Sequence, residues 1–433
     1  MNKPTHQKKD DSRLVGVVVQ CLLVLFCSFV VSKVQQQLLS NHDTVLDSVI
    51  PLGAHLKWST DNHGTPIATL SLPSTNNTQS HIQEQQKEQQ SVSSFIASTK
   101  EAIMTRYNAT GLVLLRGFPF ANSAEANALF EQLTDHNLND PNVGPIGFLP
   151  GWLQTALYDL TYGIMLKFAD GKRSGGLSVL GPVSQNIQGP HQEGQLFRWR
   201  WPQIGFYVEV APETMGETVL YDAAAAFRAL PPALRQKVQD YEYCYRLHFH
   251  LFYDYLPSWL YNIGVRVGVL LTNNQVTWNP LTLLSPSNDN TDEPCLQWFG
   301  FGKNSKDHAA AAFNQAYSDR NVTATACHDY NGEYFVRRRE ANNAINPRGV
   351  PKEQYGTPIH PQTFAPAEER AIMDAFMTSS RLLKWETNDF LLVDNIRWAH
   401  GRANGNGKSS PRVLHFYKSQ PMVDVHSLNM RRR

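Results

Sequence analysis

The chain has 433 residues, 39 Lys+Arg against 38 Asp+Glu, and a hydrophobic fraction of 42%. That composition fills a core and excludes wholesale disorder. A net charge of +1 offers no basic face for phosphates, so nucleic acid is not an expected partner, and five cysteines are too few for a disulfide scaffold.

Residues 14–32 read LVGVVVQCLLVLFCSFVVS and carry no formal charge. At about 1.5 Å per residue a helix of this run nearly crosses a hydrocarbon core of about 30 Å. Lys3, Lys8, Lys9 and Arg13 precede it, and only Lys33 follows closely. The positive-inside rule then predicts a cytosolic tail over 1–13 and a transmembrane signal-anchor over 14–32. A stem over 33–44 follows, and the remainder lies in the lumen of the endomembrane system as a single-pass type II membrane protein. A cleaved signal peptide is the alternative; the run is long for one and lacks a small-x-small cleavage site. Sequons at Asn76, Asn108 and Asn321 are compatible with a lumenal glycoprotein but are few enough to arise by chance.

The main domain is expected from 45 to 420, with a tail over 421–433. Apolar pieces at 49–52 and 67–72 open it, and the polar, Gln-rich stretch 74–94 reads as a flexible insertion. Helical spacing follows over 94–107, and then the apolar run GLVLLRGF at 111–118 reads as a buried strand. Further strands are expected at Gln203–Val210, 218–221, Phe390–Asp394 and 413–417. Asp222 is placed to cap an Ala-rich helix over 223–230 that Pro231 stops, and Thr363 to cap a later one. The pattern is mixed α/β and β-rich, with helices outside one large domain. There is no glycine-rich phosphate loop.

Chemistry enters at Gly189-Pro-His191-Gln-Glu193-Gly194. Residues two apart in a strand face the same side, so an imidazole and a carboxylate here can meet one metal ion. His191 is the one His followed two residues later by an acid. Two His and one carboxylate on one face of an octahedron suit a non-haem Fe(II) oxygenase, which must bind a co-substrate and O2 together. Near the C-terminus, WETNDFLLVDN leads to His400-Gly401-Arg402, and Arg412 opens another strand. A guanidinium suits a bidentate grip on a carboxylate.

Taken in order, these pieces resemble the taurine dioxygenase-like Fe(II)/2-oxoglutarate oxygenases, and more closely their clavaminate synthase-like branch. The matching pieces are GLVLLRGF, His191/Glu193, Gly216-Glu217-Thr218 running into LYDAAAAFRALPPALR, W-x3-DFLLVDN, His400-Gly-Arg402 and Arg412. The resemblance implies a double-stranded β-helix (jelly roll) core with flanking helices. It implies Fe(II) on His191, Glu193 and His400, with 2-oxoglutarate and O2 as co-substrates. Arg412 matches the arginine that grips the distal carboxylate of 2-oxoglutarate, and Thr218 a hydroxyl donor to it. Arg402 either joins this site or pairs with Asp394, and Thr218 has the alternative of an ordinary strand threonine. Glu at position 193, in place of Asp, resembles the branch that acts on amino-acid-like small molecules. It also speaks against a halogenase, which leaves the carboxylate position vacant. The expected reaction is hydroxylation, desaturation or oxidative ring closure, with release of succinate and CO2. The chain departs from the family pattern in its N-terminal run, its Gln-rich insertion, and Met215 before Gly216.

Other readings stay open at this level. A type II anchor is also the layout of glycosyltransferases, although the chain has no Asp-x-Asp; a non-catalytic jelly-roll binding module is a third class. His248 and His250 form a second possible metal pair or ordinary packing. The aromatic and basic run 197–201 either lines a substrate entrance or is a strand with exposed arginines. Cys244, Cys295 and Cys327 hold at most one disulfide.

Overall fold

The structure, a computed structural model, describes residues 49–51, 54–61, 64–71, 89–134, 172–174, 177–180, 186–195, 199–247, 278–285, 293–300, 305–326, 332–339, 363–405, 412–419 and 422–430. Two sheets carry most of it. The larger has eight strands in the order His55–Thr60, Pro66–Ser71, Leu112–Arg116, Phe390–Asp394, Gln203–Val210, Val413–Lys418, Leu177–Leu180, Lys172–Ser174. The smaller has five: Thr325–Ala326, Asn186–His191, Trp398–Arg402, Thr218–Asp222, Ser380–Leu383. Most pairings are antiparallel. The exceptions in these sheets are Pro66–Ser71 with Leu112–Arg116 and Thr325–Ala326 with Asn186–His191. Seven helices are described, so the chain is mixed α/β and sheet-rich.

Strand alternation sets the layers. Leu112, Leu114, Leu391 and Val393 join Ile204, Phe206 and Leu414 in a core shared with Leu220, Leu383 and Trp398 of the smaller sheet. Val113, Leu115, Phe390 and Leu392 point the other way, onto the helices Val92–Thr110 and Ser123–Thr134. Successive residues of a strand face opposite sides, so a strand buried on both faces is apolar throughout. That is why GLVLLRGF and DFLLVD read as unbroken runs. The smaller sheet turns its other face to a third core. Val219, Tyr221 and Ala399 meet the helices Ala223–Ala229, Lys306–Ala316 and Pro366–Thr378 there.

Several expected elements shift. Gln89–Ser91 is a strand on Val49–Pro51, and the next helix starts at Val92, capped by Ser91. The Gln-rich insertion therefore ends before Gln89; residues 74–88 lie outside the described residues. Residues 422–430 are packed structure and not a tail: Met422, Val425 and Leu428 are buried, and Val423–Asp424 pairs with Trp199–Arg200. Thr363 is exposed and caps nothing. The helix Pro366–Thr378 begins after Ala365, whose N–H donates to the Glu368 carboxylate at 2.9 Å, with Pro in the first turn.

The membrane placement is corrected. Among the described residues no helix is long and apolar enough to cross a membrane. The longest, Val92–Thr110, has 19 residues but carries Lys100, Glu101 and Arg106 among many Ser and Thr, and burying these in hydrocarbon is too costly. The expected anchor at 14–32 lies outside the described residues. The type II, lumenal localisation it implied finds no support and is withdrawn.

Candidate metal centre

The smaller sheet builds the site through its register. His400 is cross-strand partner to His191 on one side and to Leu220 on the other; two residues along, Arg402 faces Thr218. The pairing carries a β-bulge. Between those partners the His191 strand advances from Gln188 to His191 while its neighbour advances only from Arg402 to His400. Gly401 permits the close approach, since a Cβ there would sit 2.3 Å from the Gln188 carbonyl oxygen. The two imidazoles lie with ring centroids 4.3 Å apart, and Phe206 of the opposite sheet covers His400 at 5.1 Å.

Glu193 reaches this pair by a route other than the expected one. The strand ends at His191, and residues 192–195 form a turn closed by the Gln195 N–H on the Gln192 carbonyl at 3.2 Å. Gly194, the third residue, takes φ +74°, which glycine adopts without a Cβ penalty. The turn swings Glu193 back over the imidazoles: its Oε2 lies 3.8 Å from His191 Nε2 and 3.4 Å from His400 Nε2. The three ligand atoms all lie within 4.8 Å of one another. Asn395 holds the turn. Its Oδ1 accepts from the Glu193 N–H at 2.7 Å, and its Nδ2 donates to the carbonyls of Glu193 and Trp201, both at 2.8 Å.

The electrostatics suit a metal ligand set. Burial, and then the neighbouring His400, push His191 down to about 3, against the pull of Glu193. The ring is therefore neutral. Its Nδ1 faces the Gly189 carbonyl at 3.1 Å, and since a carbonyl only accepts, Nδ1 carries the proton. The Nε2 lone pair then points toward Glu193 and His400. One N–H on a backbone carbonyl and the other nitrogen turned inward is how metal-ligating histidines are held.

Arg412 precedes Val413–Lys418 and shares the inward face with Leu414 and Phe416. It is buried, donates from Nη1 to the Gly216 carbonyl at 2.9 Å, and its Nε has no hydrogen-bond partner among the described residues. Burial, then repulsion from Arg402, push its guanidinium down to about 9, with Glu217 opposing. Arg402 is thus near enough for its charge to act on Arg412. Thr218 is buried, and its hydroxyl accepts from Trp385 Nε1 at 2.9 Å. An indole only donates, so the threonine keeps its own O–H proton to give. Arg320 forms a two-pronged pair with Glu217 at 3.2 and 3.0 Å and donates to the Asn404 carbonyl. That contact braces the loop carrying Gly216 and Thr218.

Some expected residues lie elsewhere. Arg200 is neither exposed nor at an entrance: it is fully buried, bonded to Gln195, Tyr243 and Gln297. Cys295 is a buried free thiol, which burial pushes well up. His248, His250, Phe197, Arg198 and Cys327 lie outside the described residues. Sequence reasoning missed the roles of Asn395, Trp385 and Arg320, whose partners are far away in the chain. For Asn395 a signal existed: Asp394 and Asn395 sit together at the end of a buried strand, where a polar pair needs partners.

Residues 74–420 match the family described as taurine catabolism dioxygenase TauD, TfdA family. No curated protein matches the chain. Among solved structures, PvcB from Pseudomonas aeruginosa is 13% identical with a TM-score of 0.43, covering 86% of this chain and 94% of its own. AAD-2 in complex with Mn(II) and N-oxalylglycine is 9% identical with a TM-score of 0.42, covering 86% and 99%. An alpha-ketoglutarate dependent 2,4-D dioxygenase, so described as a candidate, from Burkholderia xenovorans is 12% identical with a TM-score of 0.40, covering 86% and 98%. With the family match spanning most of its length, the chain belongs to the TauD/TfdA dioxygenases and is an enzyme that uses Fe(II), with 2-oxoglutarate and O2 as co-substrates.

Proposed function

We propose that His191, Glu193 and His400 hold the iron, that Arg412, Thr218 and Arg402 hold 2-oxoglutarate, and that the substrate is a small amino-acid-like molecule. The observation that carries the reading is the convergence of two imidazole nitrogens and one carboxylate oxygen within 4.8 Å, from two strands and a turn. That donor set fits Fe(II) and leaves positions for an oxoacid and O2. When bound, Fe(II) with 2-oxoglutarate and O2 supplies the oxidant for hydroxylation, desaturation or ring closure, with succinate and CO2 released.

The chain's own residues supply binding, orientation and exclusion of water. His191 is held neutral and in one tautomer by burial and Gly189. Arg412 is a buried cation that a distal carboxylate would neutralise, and the Thr218 hydroxyl has a proton to donate to the same group. Phe206 and Phe416 pack in contact, ring centroids 5.3 Å apart, and keep water from the His400 side. The substrate class rests on resemblance: Glu in place of Asp at position 193 resembles the branch that acts on amino-acid-like small molecules. We read the two facing sheets as a double-stranded β-helix, and the chain from 45 through the packed residues 422–430 as one oxygenase domain; the pairing of Val49–Pro51 with Gln89–Ser91 supports that start.

The test is anaerobic addition of Fe(II) and 2-oxoglutarate to the full chain, with the visible metal-to-ligand charge-transfer band as readout. His191→Ala abolishes the band and Arg412→Ala weakens it. No band from folded, iron-replete wild-type protein overturns the ligand assignment. Succinate release across amino-acid-like compounds then finds the substrate.

A further inference from the structure

We propose that Arg200 is a positioning residue that fixes the Glu193 carboxylate on the metal, an inference that rests on the ligand set above. The turn at 192–195 has two anchored sides. Asn395 grips Glu193, as described. The far side ends in the Gln195 carbonyl, which accepts from three donors: the Tyr243 hydroxyl at 2.6 Å, Arg200 Nη2 at 3.1 Å and Asn279 Nδ2 at 3.4 Å. A carbonyl oxygen has two lone pairs, so three converging donors leave it little freedom. The same Arg200 Nη2 meets the Tyr243 hydroxyl at 2.9 Å.

The two anchors are joined. Arg200 Nη1 donates to the Gln297 side-chain oxygen, and Gln297 Nε2 donates to the Ile396 carbonyl at 3.1 Å, one residue beyond Asn395. The path Glu193, Asn395, Ile396, Gln297, Arg200, Gln195 is therefore a closed ring around the turn. Arg200, Gln195, Gln297 and Asn279 are all buried. Among the described residues every hydrogen-bond partner of Arg200 is neutral, and burial pushes its guanidinium down while Tyr243 opposes. A neutral side chain of similar volume would avoid the desolvation of a buried cation. The feature such a side chain would lack is a rigid fork of N–H donors that spans both anchors.

The test uses the full chain and Co(II) in place of Fe(II), read by its ligand-field absorption, with thermal melting alongside. Arg200→Gln loses the fork and the charge, and Arg200→Lys loses the fork alone. Tyr243→Phe removes one donor to Gln195 and keeps the ring. Glu368→Gln breaks an ion pair with Lys237 between two outer helices and serves as a destabilised control. The expected result is a Co(II) affinity about 10- to 100-fold weaker in Arg200→Gln, with a shifted band, as found when groups that orient metal ligands are removed. Tyr243→Phe shows a smaller loss in the same direction, Arg200→Lys recovers only part, and the control melts lower without moving either readout. Wild-type affinity and spectrum in Tyr243→Phe and in the folded fraction of Arg200→Gln would overturn the proposal, leaving Arg200 a core residue. If wild-type protein binds no Co(II), the ligand set itself is wrong and the inference falls with it, a failure distinguished before any variant is made.

Discussion

Asn395 uses its whole amide on backbone: one acceptor and two donors, all made, at a fully buried position. Asn395→Ala removes three hydrogen bonds at once, those to the Glu193 N–H and to the carbonyls of Glu193 and Trp201. We expect a loss of about 2–4 kcal/mol in urea unfolding, from the cost of unsatisfied buried groups. Fe(II) affinity should fall by about tenfold or more, because the turn under Glu193 loosens; equal affinity in titrations of mutant and wild type would count against that role. His191 gives a pH prediction for the metal-free protein. Its folded value of about 3 lies below the ordinary 6.5, so between the two the unfolded chain binds a proton the folded one does not. Stability then rises with pH, and it drains away as pH falls from about 6.5 toward 3. His191→Gln should flatten that slope in a series of melting curves. At this scale the sequence was legible where chemistry is local. His191 and Glu193 stand out because they are two residues apart, although a turn unites them and strand pleating does not. The Trp385–Thr218 bond spans 167 residues and the Glu193–Asn395 bond 202, and no local pattern encodes either.

Elements were readable wherever one local force decides them. Asp222 caps Ala223–Ala229 as its position implies, accepting from the N–H groups of Ala224 and Ala225, both at 3.0 Å. The strands Gln203–Val210 and Phe390–Asp394 fall where their apolar runs place them. The start of the Pro366–Thr378 helix did not, because Pro366 and Glu368 together outweigh a threonine three residues upstream. The turn at 192–195 is the element on which the site depends most. Gly194→Ala forces a side chain into a left-handed conformation and brings its Cβ to 2.9 Å from the Trp201 ring. We expect about 1–2 kcal/mol of lost stability from the backbone alone. The charge-transfer band should weaken alongside; a band of full strength would show that Glu193 tolerates a distorted turn.

At the scale of the whole molecule, two sheets carry the residues of the proposed site. The smaller supplies His191, His400, Thr218 and Arg402, and the larger supplies Arg412 and Phe206. The sheet-rich, mixed α/β character was readable from the apolar runs, and the order of the layers was not. The membrane placement finds no support, since no helix among the described residues is long and apolar enough to cross a membrane. Ligands that need both sheets stabilise only the folded state. Co(II) with 2-oxoglutarate at about 100 times the dissociation constant should add about 2.7 kcal/mol. His400→Ala should abolish the rise in melting temperature. The bond that joins Glu193 to Asn395 across 202 residues has a kinetic consequence. A contact so distant in sequence closes late, after the entropy of a long loop has been overcome. An ion meeting the unfolded chain finds the nearby His191 and Glu193 but not His400, so it has no full site to nucleate. Divalent metal should therefore leave the refolding rate nearly unchanged and slow unfolding, acting as a latch on a chain that has already closed.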